Sequence, residues 1–215
     1  MLNIMVDLES FGLDDDAVLT QIAMVAFDEE YQTIEIFNKT VSVVDSLLDG
    51  FSITPSTLEF WRNELKKNDW DESVVQDLFH SKLKPAQVAR EVHRWIEKVT
   101  EGKQFVIWAN GMLFDIPKID KFLERYGFKS MTDRTRYSNT RDLRTLRLVT
   151  KAINKDGLAK VEDMLRAKYS GHVHNAVYDC LYQIELTQAC MSILQTTNHF
   201  NTKGQTSEEV SGDNT

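Results

Sequence analysis

Leu2-Asn3-Ile4-Met5-Val6-Asp7-Leu8-Glu9-Ser10 opens the chain as an apolar run carrying two carboxylates two residues apart. Such a run reads as a buried strand, and because side chains alternate along a strand, Asp7 and Glu9 fall on one face. Unpaired carboxylates are costly inside a sheet, so two of them on a central strand ask for a counter-ion. Two further segments carry matching chemistry. From Gln104 the chain reads Q-F-V-I-W-A-N-G-M-L-F-D, an apolar strand that enters an Asn110-Gly111 turn and delivers Asp115 near the start of a helix. From His174 it reads H-N-A-V-Y-D-C, the opening of the last long helix, with Asp179 five residues on. At about 100° per residue, His174 and Asp179 would stand roughly 140° apart on a regular helix, so they share a site only if His174 sits at or before its N-terminus. Four oxygen donors and one imidazole suit Mg²⁺ or Mn²⁺ held by carboxylates and phosphate, with the histidine free to move a proton.

Each piece alone also has an ordinary reading. Asp-x-Glu triplets are commonly solvated. Asp115, between Phe114 and Pro117, fits a helix-start residue as well as a ligand. His174 fits a capping or packing residue, and His172 is by spacing an equal candidate for the base.

Taken together, in order and spacing, the Asp7-Leu8-Glu9 triplet, the Asn110–Asp115 segment and the His174–Cys180 segment resemble the three exonuclease motifs of the DEDDh superfamily. That superfamily includes proofreading exonuclease subunits, ribonuclease T and oligoribonuclease. The N-G-x-x-F-D form of the second motif, the T-L-E-F-W segment (Thr57 to Trp61) and the R-D-L-R-T-L segment (Arg141 to Leu146) are most similar to its phage exonuclease A branch. The resemblance implies a ribonuclease H-like α/β fold with a mixed central sheet flanked by helices. It implies Asp7, Glu9, Asp115 and Asp179 as ligands of two Mg²⁺ or Mn²⁺ ions and His174 as general base. The implied activity is 3′→5′ hydrolysis at nucleic-acid 3′ ends, of DNA in preference to RNA, with release of nucleoside 5′-monophosphates. An exoribonuclease and a non-catalytic nucleic-acid-binding copy of the fold are the alternatives. Leu8, Phe60, Trp61, Asn110 and Arg141 are the expected substrate contacts. Phe60-Trp61 stands where the family usually has a Trp-Trp pair, and aromatic core packing is the rival reading of both rings.

Composition fits a single domain, since a chain of 215 residues with 42% hydrophobic content can bury a sizeable core; the resemblance makes residues 1–197 the exonuclease domain, and the polar stretch 198–215 reads as a disordered tail. Cys180 and Cys190 lie on one predicted helix, about 15 Å apart along its axis, and cannot bridge. They read as thiols of a reducing compartment. No apolar run approaches a membrane span, and the N-terminus meets a charge too early for a signal peptide, so the expected location is the cytoplasm. The net charge of −8 is unevenly spread: residues 118–168 hold 14 Lys or Arg against 7 Asp or Glu. Several of these cations are candidates for phosphate contacts, with a solvated helix face as the rival reading.

The apolar patterning predicts strands over 2–9, 20–27, 33–42 and 104–109, the first three as a meander. Helices are predicted from Thr54-Pro55, over 85–100, after Gly111 as far as Gly127, near 141–151, near 159–168 and from 174 to 195.

Overall fold

The computed structural model describes residues 1–67, 79–171 and 174–205. The first strand, β1 (Asn3–Ser10), lies at the centre of a five-stranded sheet. It pairs antiparallel with β2 (Leu19–Phe27), which pairs antiparallel with β3 (Thr33–Thr40), giving the expected meander. On its other side β1 runs parallel to β4 (Val106–Ala109), and β4 runs parallel to β5 (Thr140–Asp142), for a spatial order β3-β2-β1-β4-β5. A parallel neighbour requires a crossover, and the chain between β3 and β4 supplies it with α1 (Val43–Leu48), α2 (Pro55–Lys67) and α3 (Pro85–Thr100). After β4 come α4 (Met112–Arg125), α5 (Leu143–Ile153), α6 (Lys155–Lys168) and α7 (Ala176–Gln205).

Alternation along β1 divides the core. Ile4, Val6 and Leu8 face the larger cluster, with Val88, Val92 and Ile96 of α3 and Ile116, Ile119 and Phe122 of α4. Met5 faces the other side with Ala23 and Val25 of β2 and Ala176, Cys180 and Ile184 of α7. Asp7 and Glu9 share the parity of Met5, so their backbone positions belong to the face that α7 covers. Every residue of β2 is buried, as suits a strand covered on both faces.

Several boundaries differ from the sequence expectation. The helix expected over 141–151 begins at Leu143, because Thr140–Asp142 forms β5, too short for any alternation to be read. The strand expected to reach residue 42 stops at Thr40, because Ser42 accepts a hydrogen bond from the Asp45 amide and caps α1, which was not expected. The last helix starts at Ala176 and runs to Gln205, so residues 198–205 of the expected disordered tail are helical. No proline interrupts the ladder there. The remainder of that tail, 206–215, lies outside the described residues. Cys180 and Cys190 are both buried and unbridged. No helix among the described residues is long and apolar enough to cross a membrane.

Candidate active site

The carboxyl end of β1 opens into a cleft of about 630 Å³ whose walls include Asp7, Leu8, Glu9, Phe60, Trp61, Asn110, Asp115, His174 and Asp179. Nine of the ten residues expected at the site are thus brought together. The tenth, Arg141, is outside: its guanidinium donates to the carbonyls of Ser138 and Thr140, the latter at 2.9 Å. The basic group in the cleft is Arg144, three residues on.

Each carboxylate is delivered by local structure. Asp7 and Glu9 sit two apart on β1, just before the bulge at Glu9/Ser10 that ends regular pairing with β2. Asp115 lies in the first turn of α4, whose start is fixed by Gly111 at φ 110°, a left-handed conformation that favours glycine. Asp142, at the end of β5, accepts from the Met112 amide at 2.9 Å and from the Thr145 amide at 2.8 Å, so one carboxylate fastens the starts of both α4 and α5. Asp179 is in the first turn of α7, with Gln183 one turn further on the same face. His174 precedes that helix at φ 59°, which removes the angular separation a regular helix would impose between it and Asp179. His172, the rival base, lies outside the described residues.

Ligand oxygens of Asp7, Glu9 and Asp179 lie within 4.8 Å of one another, a group able to hold a metal ion. Burial pushes Asp7 well above the usual carboxylate range, with further upward pressure from the charges of Asp115, Glu9 and Asp179, while a hydrogen bond from Gln183 opposes it. Glu9 is raised in the same way, by burial and then by Asp179 and Asp115. Burial lifts Asp179 to about 6. It lifts Asp115 to about 7 against the pull of Lys118, a hydrogen bond from the Leu8 amide and the pull of Arg144. Four acids so placed cannot all ionise at neutral pH without added positive charge. The chemistry of the donor set, hard oxygens and one imidazole, fits Mg²⁺ or Mn²⁺.

Gln183, which the sequence reading missed, donates from Nε2 to Asp7 Oδ1 at 2.7 Å. Its Oε1 and the Oδ1 of Asn110 are buried in the cleft wall without a hydrogen-bond partner among the described residues. The i,i+4 spacing from Asp179 was the available signal for Gln183. The two aromatic candidates separate. Trp61 is 3% exposed, donates from Nε1 to the Ser10 carbonyl at 3.0 Å and packs against Phe11, so its first role is to fasten α2 to the end of β1. Phe60 is 44% exposed and meets the His174 ring edge-on at 5.5 Å. The Nε2 of His174 lies 3.4 Å from Glu64 Oε2 on α2.

Much of the basic stretch is structural. Lys118 is buried, donating to the Leu13 carbonyl at 2.9 Å and lying over the Phe114 ring. Arg134 pairs with Glu97, and Arg147 with Glu162. Arg144 makes no hydrogen bond or ion pair among the described residues, and its guanidinium carbon would lie 3.0 Å from a Cβ added at Gly111.

A family profile described as the 3′-5′ exoribonuclease Rv2179c-like domain matches residues 2–191. The chain is 24% identical over 214 residues to the exodeoxyribonuclease of Enterobacteria phage T4, covering 86% of each chain. Among solved structures, exonuclease I from Methylocaldum szegediense superposes with a TM-score of 0.65 at 17% identity, over 93% of this chain and 42% of that one. E. coli exonuclease I in complex with a dA16 oligonucleotide gives 0.64 at 15% identity with the same coverage. The chain therefore spans less than half the length of these structural neighbours, and at such identity they establish the ribonuclease H-like exonuclease fold.

Proposed function

This chain belongs to the 3′-5′ exoribonuclease Rv2179c-like domain family and is a 3′-5′ exonuclease; on that premise we propose a DEDDh-type, cation-dependent mechanism acting on DNA 3′ ends. The observation that carries it is the convergence of Asp7, Glu9, Asp115 and Asp179 from three segments in one cleft with His174 at its wall. The carboxylates of Asp7, Glu9, Asp115 and Asp179 would hold two Mg²⁺ or Mn²⁺ ions. Such ions supply charge to offset the phosphodiester and acidify a water beside it.

The remaining steps belong to the protein. His174 takes the proton from the attacking water, whose oxygen bonds to phosphorus as the bond to the 3′-oxygen breaks. The departing 3′-oxygen gains a proton and ends the shortened strand as a hydroxyl, and a nucleoside 5′-monophosphate leaves. Glu64, whose Oε2 lies 3.4 Å from His174 Nε2, is placed to orient the imidazole for that transfer. Phe60 offers a ring face to the terminal base and Leu8 an apolar floor, while Trp61 holds α2 in place. Asn110, whose buried Oδ1 has no hydrogen-bond partner among the described residues, would accept from a sugar hydroxyl that reaches it.

DNA is favoured by likeness to the phage exodeoxyribonuclease across most of both chains. RNA is the second reading, favoured by the description of the family itself. Matched 5′-labelled DNA and RNA oligonucleotides incubated with Mg²⁺, Mn²⁺ or EDTA test both. Faster shortening of DNA in either metal supports the first reading. Faster shortening of RNA replaces it with the second, and metal-independent shortening would overturn the cation-dependent mechanism.

A further inference from the structure

We propose that the groove between α5 and α6 is the track for the substrate strand on the 5′ side of the scissile phosphate, an inference that rests on the exonuclease reading above. The groove has a volume of about 350 Å³ and is lined by Arg144, Arg147, Leu148, Lys151, Lys155 and Leu158. Arg144 lines both this groove and the catalytic cleft, so the two are continuous at one guanidinium.

The charges in the groove divide. Arg147 is balanced by Glu162 at 2.6 Å and therefore holds α6 against α5. Lys151 and Lys155 are exposed and make no ion pair among the described residues, as is true of Arg144. Arg144 faces the carboxylates of Asp115 and Asp142, and from it two exposed lysines lead away from the acidic cleft in a chain whose net charge is −8. Arg144 and Lys151 are two turns apart on α5, about 10 Å along the axis. That is the axial span of roughly three stacked nucleotides. Leu148 stands between them, 68% exposed, and offers an apolar surface to a sugar or base. A polyanion with apolar faces fits this lining. A strand entering by its 3′ end must leave the cleft somewhere, and the shared arginine marks the exit.

The test is a length series of 5′-labelled single-stranded DNA of 2, 4, 8 and 16 nucleotides. Wild type is expected to gain about tenfold or more in kcat/KM from the shortest to the 8-mer. The K151Q/K155Q double variant should keep no more than a two- to threefold gain, and its slope of log KM against log salt on the 16-mer should fall by about 1.4, since each phosphate contact on a single strand contributes about 0.7. K151R/K155R should retain the wild-type gain, and all three proteins should share one thermal midpoint, because both side chains are exposed. A wild type that shortens the strands, with a Gln variant that keeps the full length gain and salt slope, would overturn the track while leaving the exonuclease reading intact. A wild type that shortens none of them would overturn the reading itself.

Discussion

Replacing Asp115 with Asn isolates the electrostatic cost of the empty carboxylate cluster. Burial raises this acid from the ordinary 3.8 to about 7 in spite of Lys118, the Leu8 amide and Arg144. For an acid raised in the folded state, the stability it contributes is full below the unfolded value and is lost as pH rises to the folded value. The window here is therefore from near 4 to near 7. At about 1.4 kcal/mol for each tenfold change in proton activity, ionising Asp115 in the metal-free protein costs on the order of 4 kcal/mol. Relaxation and water entry reduce this to about 2 kcal/mol. Asn keeps the shape and one acceptor for the Leu8 amide but has no charge to ionise. In EDTA at pH 8.5, D115N should therefore melt about 4–8 °C above wild type, since 1 kcal/mol moves a domain of this size by about 2–4 °C. Near pH 4, where wild-type Asp115 is protonated in the folded state, the two should melt together. Mg²⁺ should raise wild type and leave D115N nearly unmoved, and D115N should have lost turnover. Scanning calorimetry at the two pH values, with and without metal, reads all of this. A D115N protein less stable than wild type in EDTA at pH 8.5, by the same margin as near pH 4, would refute the crowding argument.

Three further outcomes follow from the site. D7N, E9Q and D179N should each lower turnover at least about a hundredfold in Mg²⁺, beyond the usual cost of disturbing a ligand's support, while far-ultraviolet circular dichroism stays unchanged. Near wild-type turnover in any one removes that residue from the ligand set. H174A should lose about 10²–10⁴-fold in rate yet still bind a labelled strand, and H172A should stay active; a reversed result in single-turnover assays moves the base to His172. F60A should raise KM for a single-stranded oligonucleotide on the order of tenfold with little change in melting, whereas W61A should destabilise the fold by about 3–5 kcal/mol. Equal melting of the two variants would contradict the division of roles between the rings.

The sequence was most legible where apolar periodicity is long. The meander of β1 to β3 and the helix over Pro85–Thr100 carry unbroken patterns, and the structure has them in place. The residues of the cleft were legible through motif order, because carboxylates on β1, α4 and α7 stand beside apolar runs that mark their elements. β5 and α1 were not, being three and six residues long, shorter than a period can declare. Arg141 and Arg144 look equivalent in a basic stretch, and only the geometry of Asp142 as a shared cap separates the one pinned to carbonyls from the one facing the cleft. Gln183 was hidden because glutamine on a helix face is ordinary until Asp179, one turn earlier, is seen to stand beside Asp7 and the amide to donate to that carboxylate. Trp61 and Phe60 are adjacent in sequence, and no pattern states which of two neighbouring rings the core takes.

The direction and terminus of attack bear most directly on the central claim. A 5′-labelled single strand, the same strand labelled at its 3′ end and a covalently closed circle of the same sequence are to be digested in parallel with Mg²⁺. The 5′-labelled strand should shorten in single-nucleotide steps, the 3′ label should appear at once as mononucleotide, and the circle should survive. Efficient cutting of the circle, or release of a 5′ label as the first product, would contradict a 3′→5′ exonuclease even if every carboxylate of the cleft proved essential.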